Sequence, residues 1–387
     1  MNRVTISLDA LRHNLSVIGK WMNDRDSRWT VVTKVLCGHA PTLRALQLLG
    51  VRSMGDSRLS NVKAIERIIP DFESWYLRVP DMSSIEEVVS LADVSLNSEI
   101  DIIEALNAEA GRQGKNHGII IMIELGDLRE GILPGSLVKF YEEIFELPNI
   151  TVWGIGANLG CLAGAVPSVD QFMQLVLYRE LLELKFERAL PMISAGSTAV
   201  LPLMLEGSLP KAINHFRIGE AIFLGTDLVN GGLLPGLRDD IVLLEAEIAE
   251  IKEKGLVPAV ETSSISPFEN ELDEETPPGQ RGYRALVSVG NLDTDISGLT
   301  PINPHHKIAG ASSDITVINL GDNPGDLHVG DTIKFRVNYS ALLRLMSGKY
   351  IPKEIHPDLD EFEKSLSGKQ LGVDPVVEEF TRPEDVN

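Results

Sequence analysis

A lysine ends an apolar, β-branched run, Trp29-Thr30-Val31-Val32-Thr33-Lys34-Val35, and Leu36-Cys37-Gly38-His39 follow it. A cation among such residues is costly to bury. If Lys34 faces a cavity at the strand's C-terminal end, desolvation disfavours the ammonium form. The neutral amine can then attack an aldehyde to form a Schiff base. The alternative is a strand-end lysine reaching solvent, the usual place for lysines.

Two further segments carry chemistry. Ser194-Ala195-Gly196-Ser197-Thr198 is a small-residue loop opening a helix. Its free backbone N–H groups and hydroxyls suit an anion such as phosphate, although Ser197 or Thr198 acting as a plain helix cap explains it equally. Gly219 lets backbone approach the same anion. Arg217, just before it, either pairs with Glu220 or Glu206 or holds the nitrogen of a pyridine-type cofactor. A permanently charged guanidinium keeps such a nitrogen unprotonated, which weakens the ring as an electron sink and suits racemisation. Cys37 and Cys161 read as small core residues, and the histidines show no metal-ligand spacing. Asn291-Leu292-Asp293-Thr294-Asp295 resembles part of a calcium loop but lacks its closing Gly and Glu, so no metal is expected.

These residues need a scaffold that brings strand ends together. Short β-branched runs alternate with amphipathic stretches over the first two-thirds of the chain. Eight strands are predicted: Trp29–Lys34, Arg52–Gly55, Trp75–Val79, Val94–Asn97, Ile119–Leu125, Val152–Asn158, Met192–Ser194 and Ala212–Arg217. Helical patterns separate them, and another, Ala10–Trp21, precedes the first. Eight β-then-α units without a G-x-G-x-x-G after the first strand favour a TIM (β/α)8 barrel over an open doubly wound sheet. A barrel collects Lys34, Asp56, Arg58, Arg78, Asn97, Asn158 and Arg217 at one rim, and its loops after strands seven and eight are the usual phosphate site.

After Gly231 the pattern becomes all-β, with strand-like runs Ile241–Lys252, Arg284–Gly290, Ile315–Leu320, Thr332–Val337 and Tyr350–Ile355. The expected division is a barrel over 10–232, a β domain built from 1–9 and 233–355, and an acidic, loosely packed extension over 356–387.

The 387 residues carry a formal charge of −21, which argues against a nucleic-acid footprint. Two cysteines exclude a disulfide framework. No long uncharged apolar run predicts a membrane span, and no signal-peptide core follows Met1, so a cytoplasmic location is the expectation.

Several segments together resemble the fold-type III pyridoxal-phosphate amino-acid racemases, the alanine/ornithine racemase family. They are Val32-Thr33-Lys34-Val35-Leu36-Cys37-Gly38, Met54-Gly55-Asp56-Ser57-Arg58, Leu125-Gly126-Asp127-Leu128-Arg129-Glu130-Gly131 and Phe216-Arg217-Ile218-Gly219-Glu220-Ala221-Ile222. Leu299-Thr300-Pro301, Gly310-Ala311-Ser312-Ser313-Asp314 and Asn338-Tyr339-Ser340-Ala341-Leu342-Leu343-Arg344 follow. The resemblance spans roughly residues 3–355. It implies an N-terminal barrel with a C-terminal all-β domain, pyridoxal 5'-phosphate as cofactor, an amino acid as substrate, and a homodimer with shared active sites.

By the same resemblance Lys34 is the Schiff-base lysine and Arg217 faces the pyridine nitrogen. Ser197, Thr198, Gly219 and the backbone at Glu220 hold the phosphate, and Tyr350 reaches it. Arg129 lies near the phenolic oxygen, Asn158 near the ring, and Asp314 on the substrate side. The chain departs from the family in two places. Leu36-Cys37-Gly38 holds no phosphate-binding tyrosine. The second base, a tyrosine in alanine racemases, falls near Glu261, with Tyr283 the nearest tyrosine beyond it. Six acids and no base in 261–275 suggest a substrate with a side-chain cation, such as ornithine or lysine; a solvated loop is the alternative. A pyridoxal-phosphate carrier and a decarboxylase of the same fold type are the competing functions.

Overall fold

The computed structural model describes residues 1–160, 164–257, 260, 277, 279–322 and 325–366. The chain opens with strand β1 (Arg3–Ser7) and helix α1 (Leu8–Asp24). Eight strands follow: β2 (Arg28–Val32), β3 (Ser53–Asp56), β4 (Glu73–Tyr76), β5 (Val94–Asn97), β6 (His117–Met122), β7 (Ile150–Gly156), β8 (Met192–Gly196) and β9 (His215–Ile218). The helices between them are α2 (Ala40–Leu48), α3 (Leu59–Ile68), α4 (Ile85–Leu91), α5 (Ile100–Gln113), α6 (Leu137–Ile144), α7 (Val169–Phe186) and α8 (Leu201–Leu205), with α9 (Glu220–Leu224) after β9.

β2 to β9 form a closed parallel barrel, β9 returning to β2 with Val31 opposite Ile218. The expected fold class is therefore the observed one. Parallel barrel strands are covered on both faces, and every residue of β5 and β6 is buried. Trp75, Val94, Leu96, Ile120, Met122, Trp153 and Met192 pack as one apolar cluster. Trp75 also stacks on His215, ring centroids 4.5 Å apart.

Two compact units make up the chain. One combines Arg12–Leu237, which contains the barrel, with the end of the chain from Glu363. The other combines Met1–Leu11 with Arg238–Phe362. Its strands are β10 (Val242–Gly255), β11 (Arg281–Val287), β12 (Leu299–Pro301), β13 (Lys307–Ala311), β14 (Thr316–Gly321), β15 (Thr332–Val337) and β16 (Lys353–His356). Their order in the sheet is β12-β15-β10-β11-β14-β13, and β1 joins by pairing antiparallel to β10 and parallel to β16.

Two helices in this region escape the all-β expectation. Residues Tyr339–Ser347 form α10, capped by Asn338 Oδ1, which accepts from Ala341 N–H at 2.9 Å. Residues Leu359–Leu366 form α11, inside the segment expected to pack loosely. Its acidic composition hides an amphipathic period, and Phe362 is fully buried. Phe362→Ala should cost about 3–5 kcal/mol in urea unfolding, the usual price of an emptied aromatic site. A change within error would show that this helix contributes nothing to the fold.

Candidate active site at the barrel mouth

Strand β2 ends at Val32, two residues earlier than expected, and Lys34 opens a one-turn 3-10 helix, Lys34–Leu36. Cys37 closes the turn in the left-handed region at φ 48°, and Gly38 follows at φ 75°. The chain thus turns sharply away from the barrel, leaving the half-buried Lys34 at the mouth.

Asp56, at the end of β3, fastens this turn. The carboxylate is fully buried. It accepts from Thr33 Oγ1 at 3.0 Å, Asn61 Nδ2 at 3.1 Å and Arg58 N–H at 3.0 Å. Burial pushes its pKa up, and these hydrogen bonds pull it back. The rim position of Asp56 was visible in the sequence; its hold on Thr33 was not. Asp56→Ala would leave Asn61 Nδ2 and the Arg58 N–H without this acceptor and Thr33 Oγ1 with Gly55 O alone, and should destabilise the protein by about 2–4 kcal/mol in urea melts.

Arg217, near the end of β9, is buried. Neither Glu220 nor Glu206, the anticipated partners, is among its hydrogen-bond acceptors. Its guanidinium donates to Ser194 O and Oγ, to Ala157 O at 3.0 Å and to Asn158 Oδ1. All four acceptors are neutral. Behind Ser194 Oγ lies His215 Nδ1 at 2.8 Å, and His215 Nε2 is 3.0 Å from Thr30 Oγ1. Burial, then the charges of Arg28 and Arg217, hold the His215 imidazole well below its usual pKa. A neutral ring at this depth adds no second positive charge beside Arg217.

On the other side of Arg217, Asn158 Nδ2 donates to Glu130, which also grips Arg129 through Nε and Nη2. Glu130 therefore ties together two residues expected near the cofactor. Reasoning from sequence assigned it no role, since only folding brings the loop after β6 against the end of β7.

The loops after β8 and β9 form the anion cradle. Ser197 occupies the position before the short helix Thr198–Val200, but its side chain makes no capping bond. Its Oγ is buried with no hydrogen-bond partner among the described residues. A plain helix cap therefore does not account for Ser197, whereas a phosphate oxygen would satisfy it. Thr198 Oγ1 accepts from Ala221 N–H at 3.2 Å, joining the two loops. At Gly219 an added Cβ would meet Val32 O at 3.0 Å, so a larger residue would press on the strand leading to Lys34. This donor set fits a phosphate group.

Glu220 follows Gly219 and is half-buried. Burial pushes its carboxyl up to about 7, while the nearby Lys34 lowers it in part. The folded state therefore holds this proton more tightly than the unfolded chain does. The resulting stability is complete below the ordinary carboxylate pKa of 4.5 and is lost as pH rises through about 7.

Lys34, Arg129, Asn158, Ser197, Thr198, Arg217, Gly219 and Glu220 all belong to the barrel unit. Tyr283, Asp314 and Tyr350 belong to the β unit. Tyr283 lies on β11 opposite Glu253, Asp314 Oδ2 accepts from Ser313 Oγ at 2.7 Å, and Tyr350 is exposed beneath the Lys349 ammonium. Glu261, the rest of the acidic segment 261–275 and Cys161 lie outside the described residues.

The family model for the alanine racemase N-terminal domain matches residues 6–227. The chain belongs to the alanine racemase family. An ornithine racemase from Acetoanaerobium sticklandii is 35% identical over 356 residues, covering 91% of this chain and 99% of that protein. A lysine racemase from Thermotoga maritima is 32% identical over 359 residues, covering 92% and 99%. These full-length matches make this family member an amino-acid racemase.

Solved alanine racemases share its fold at low identity. That of Streptomyces coelicolor superposes with a TM-score of 0.69 at 19% identity, covering 92% of this chain and 98% of the other. That of Bartonella henselae, solved with covalently bound pyridoxal phosphate, gives 0.69 at 15%, covering 92% and 99%. Among the described residues no helix is long and apolar enough to cross a membrane.

Proposed function

We propose that this racemase interconverts the L and D forms of basic amino acids, ornithine and lysine, with pyridoxal 5'-phosphate held at the barrel mouth through Lys34. The observation that carries the cofactor is the combination of a half-buried lysine and an unsatisfied Ser197 hydroxyl on the same rim. The substrate class rests on full-length identity to an ornithine and a lysine racemase.

When bound, the cofactor withdraws electrons from the substrate's Cα and acidifies its proton. The chain's own residues do the rest. Ser197 Oγ, Thr198 and the backbone at Gly219 and Glu220 bind the phosphate. Arg217, braced by Ser194, Ala157 and Asn158, presents a guanidinium that cannot give up a proton, and so leaves the pyridine nitrogen unprotonated. Arg129, held by Glu130, would face the phenolic oxygen of a bound cofactor, and Asn158 would lie beside its ring.

Lys34 Nζ removes or returns the Cα proton on one face. A group from a partner copy, Glu261 or Tyr283, serves the opposite face. Asp314 of that copy would lie on the substrate side, and Tyr350 would reach the phosphate. The working unit is then a homodimer with shared sites, and the cytoplasm is its proposed location.

Incubation of L-ornithine, L-lysine and L-alanine with the protein in D2O tests this. Deuterium should enter Cα of both enantiomers, without CO2 release, and kcat/KM for the two basic amino acids should exceed that for alanine by about tenfold or more. CO2 release without a racemate would replace the racemase by a decarboxylase. A preference for alanine would remove the basic specificity.

A further inference from the structure

Arg217 stands at one end of a single file of polar side chains that crosses the barrel. Its guanidinium donates to Ser194 Oγ, which lies 2.8 Å from His215 Nδ1. His215 Nε2 is 3.0 Å from Thr30 Oγ1, and Thr30 Oγ1 is 2.8 Å from Ser53 Oγ. Ser53 in turn donates to Glu73 Oε1 at 2.9 Å. Ser53 and Glu73 are the first residues of β3 and β4, so the file ends on the barrel floor. There Glu73 also accepts from Trp75 Nε1 at 2.7 Å and pairs with Arg28 at 2.7 Å. Ser194, His215 and Thr30 are buried. The need to satisfy buried polar groups explains any one of these contacts. It does not explain an unbroken series with a cation at the mouth and a carboxylate at the floor.

The two ends fix the sense of the file, because a carboxylate only accepts and a guanidinium only donates. The single hydroxyl proton of Ser53 goes to Glu73, so Thr30 must donate to Ser53. The Thr30 proton is then spent, and its oxygen accepts from His215 Nε2–H. The neutral ring keeps its lone pair on Nδ1, and the Ser194 hydroxyl donates to it. The Ser194 oxygen is thereby left open to the Arg217 N–H. With the opposite sense, Nδ1–H would occupy that oxygen and turn the Ser194 proton toward the guanidinium. We propose that Glu73 is a positioning residue for Arg217, acting through Ser53, Thr30, His215 and Ser194 to keep the Ser194 hydroxyl an acceptor for the guanidinium. Each hydrogen bond polarises the next, so the negative end of every hydroxyl dipole faces Arg217. Burial keeps the His215 ring neutral, as the file requires, since an imidazolium would donate both ways and break it.

What Arg217 holds rests on the cofactor reading above, whereas the file itself does not, and two measurements separate their failures. The first is nitrogen NMR on the full-length protein with isotopically labelled histidine, His215 being assigned through His215→Asn. The ring should be neutral and protonated on Nε2 alone, with or without cofactor. A ring protonated on Nδ1 would overturn the proposal. The second uses the holoenzyme. Thr30→Val cuts the file at its middle, and Glu73→Met removes its terminal acceptor. Each should lower kcat for ornithine on the order of tenfold with KM little changed, because a slightly misplaced guanidinium costs rate before it costs binding. Thr30→Ser, which keeps the hydroxyl, should restore kcat. The double variant should be no slower than either single one, since both interrupt the same file. Losses that multiply to about a hundredfold would show two independent effects and overturn the role of Glu73. If one of these variants does not fold, Ser53→Ala, which cuts the file between them, takes its place in the same comparison. A wild type with the Nε2 tautomer and no visible cofactor band would uphold the file and overturn the cofactor reading alone.

Discussion

Lys34→Ala will abolish both racemisation and the visible absorbance of bound pyridoxal phosphate. Lys34 stands at the barrel rim, held there by a turn that Asp56 and Thr33 anchor. Loss of a positioned base alone removes about 10²–10⁴-fold in rate. Loss of the covalent attachment of the cofactor compounds this, so turnover should fall by more than about 10⁴-fold. The fold should survive, because a half-buried lysine with no hydrogen bond supports nothing behind it. Far-UV circular dichroism and the melting curve should therefore match wild type. A Lys34→Ala protein that still exchanges the Cα proton of ornithine would remove Lys34 from the chemistry.

Arg217 should behave differently, because it is structural and electrostatic at once. Arg217→Ala strips donors from Ser194 O, Ala157 O and Asn158 Oδ1, all at the inner end of the site. With each unsatisfied buried acceptor worth about 1–3 kcal/mol, the protein should lose about 3–5 kcal/mol of stability. Arg217→Lys is the sharper probe. It keeps the charge but replaces a planar fork by a point cation that cannot reach β7 and β8 together. Turnover should drop on the order of 10²-fold, comparable to the loss of one preorganised donor, with a smaller change in stability. An Arg217→Lys enzyme with wild-type kcat would mean that charge alone, without the fork, meets the requirement.

Much of the barrel was legible in the sequence because its signals are local. β5 at Val94–Asn97, α7 at Val169–Phe186 and β15 at Thr332–Val337 fall where the alternation of apolar residues places them. The family segments named the rim residues in the right order. Errors gathered where a local pattern is weak or a contact is distant. α10 and α11 were missed because short helices inside a β-rich, acidic stretch lack a long apolar period. β12 has three residues, too few for alternation to show, and β13, Lys307-Ile308-Ala309-Gly310-Ala311, has a single large apolar residue.

Contacts within the site were the least legible. His215 meets Thr30, Ser194 and Trp75, which lie on three other strands. Glu130 meets Asn158 across two strand ends. No spacing in the chain announces such pairs.

The sequence by itself determined the barrel, the β-rich region after it, the racemase family and the residues bearing the reactive groups. Periodicity and motif order are properties of neighbouring residues and survive without a fold. The tertiary structure alone decided what each reactive group faces. It gave Arg217 neutral oxygens at β7 and β8 and left the Ser197 hydroxyl unsatisfied among the described residues. Charge state and hydrogen-bond supply depend on burial and on partners up to 185 residues away, and these exist only once the barrel has closed.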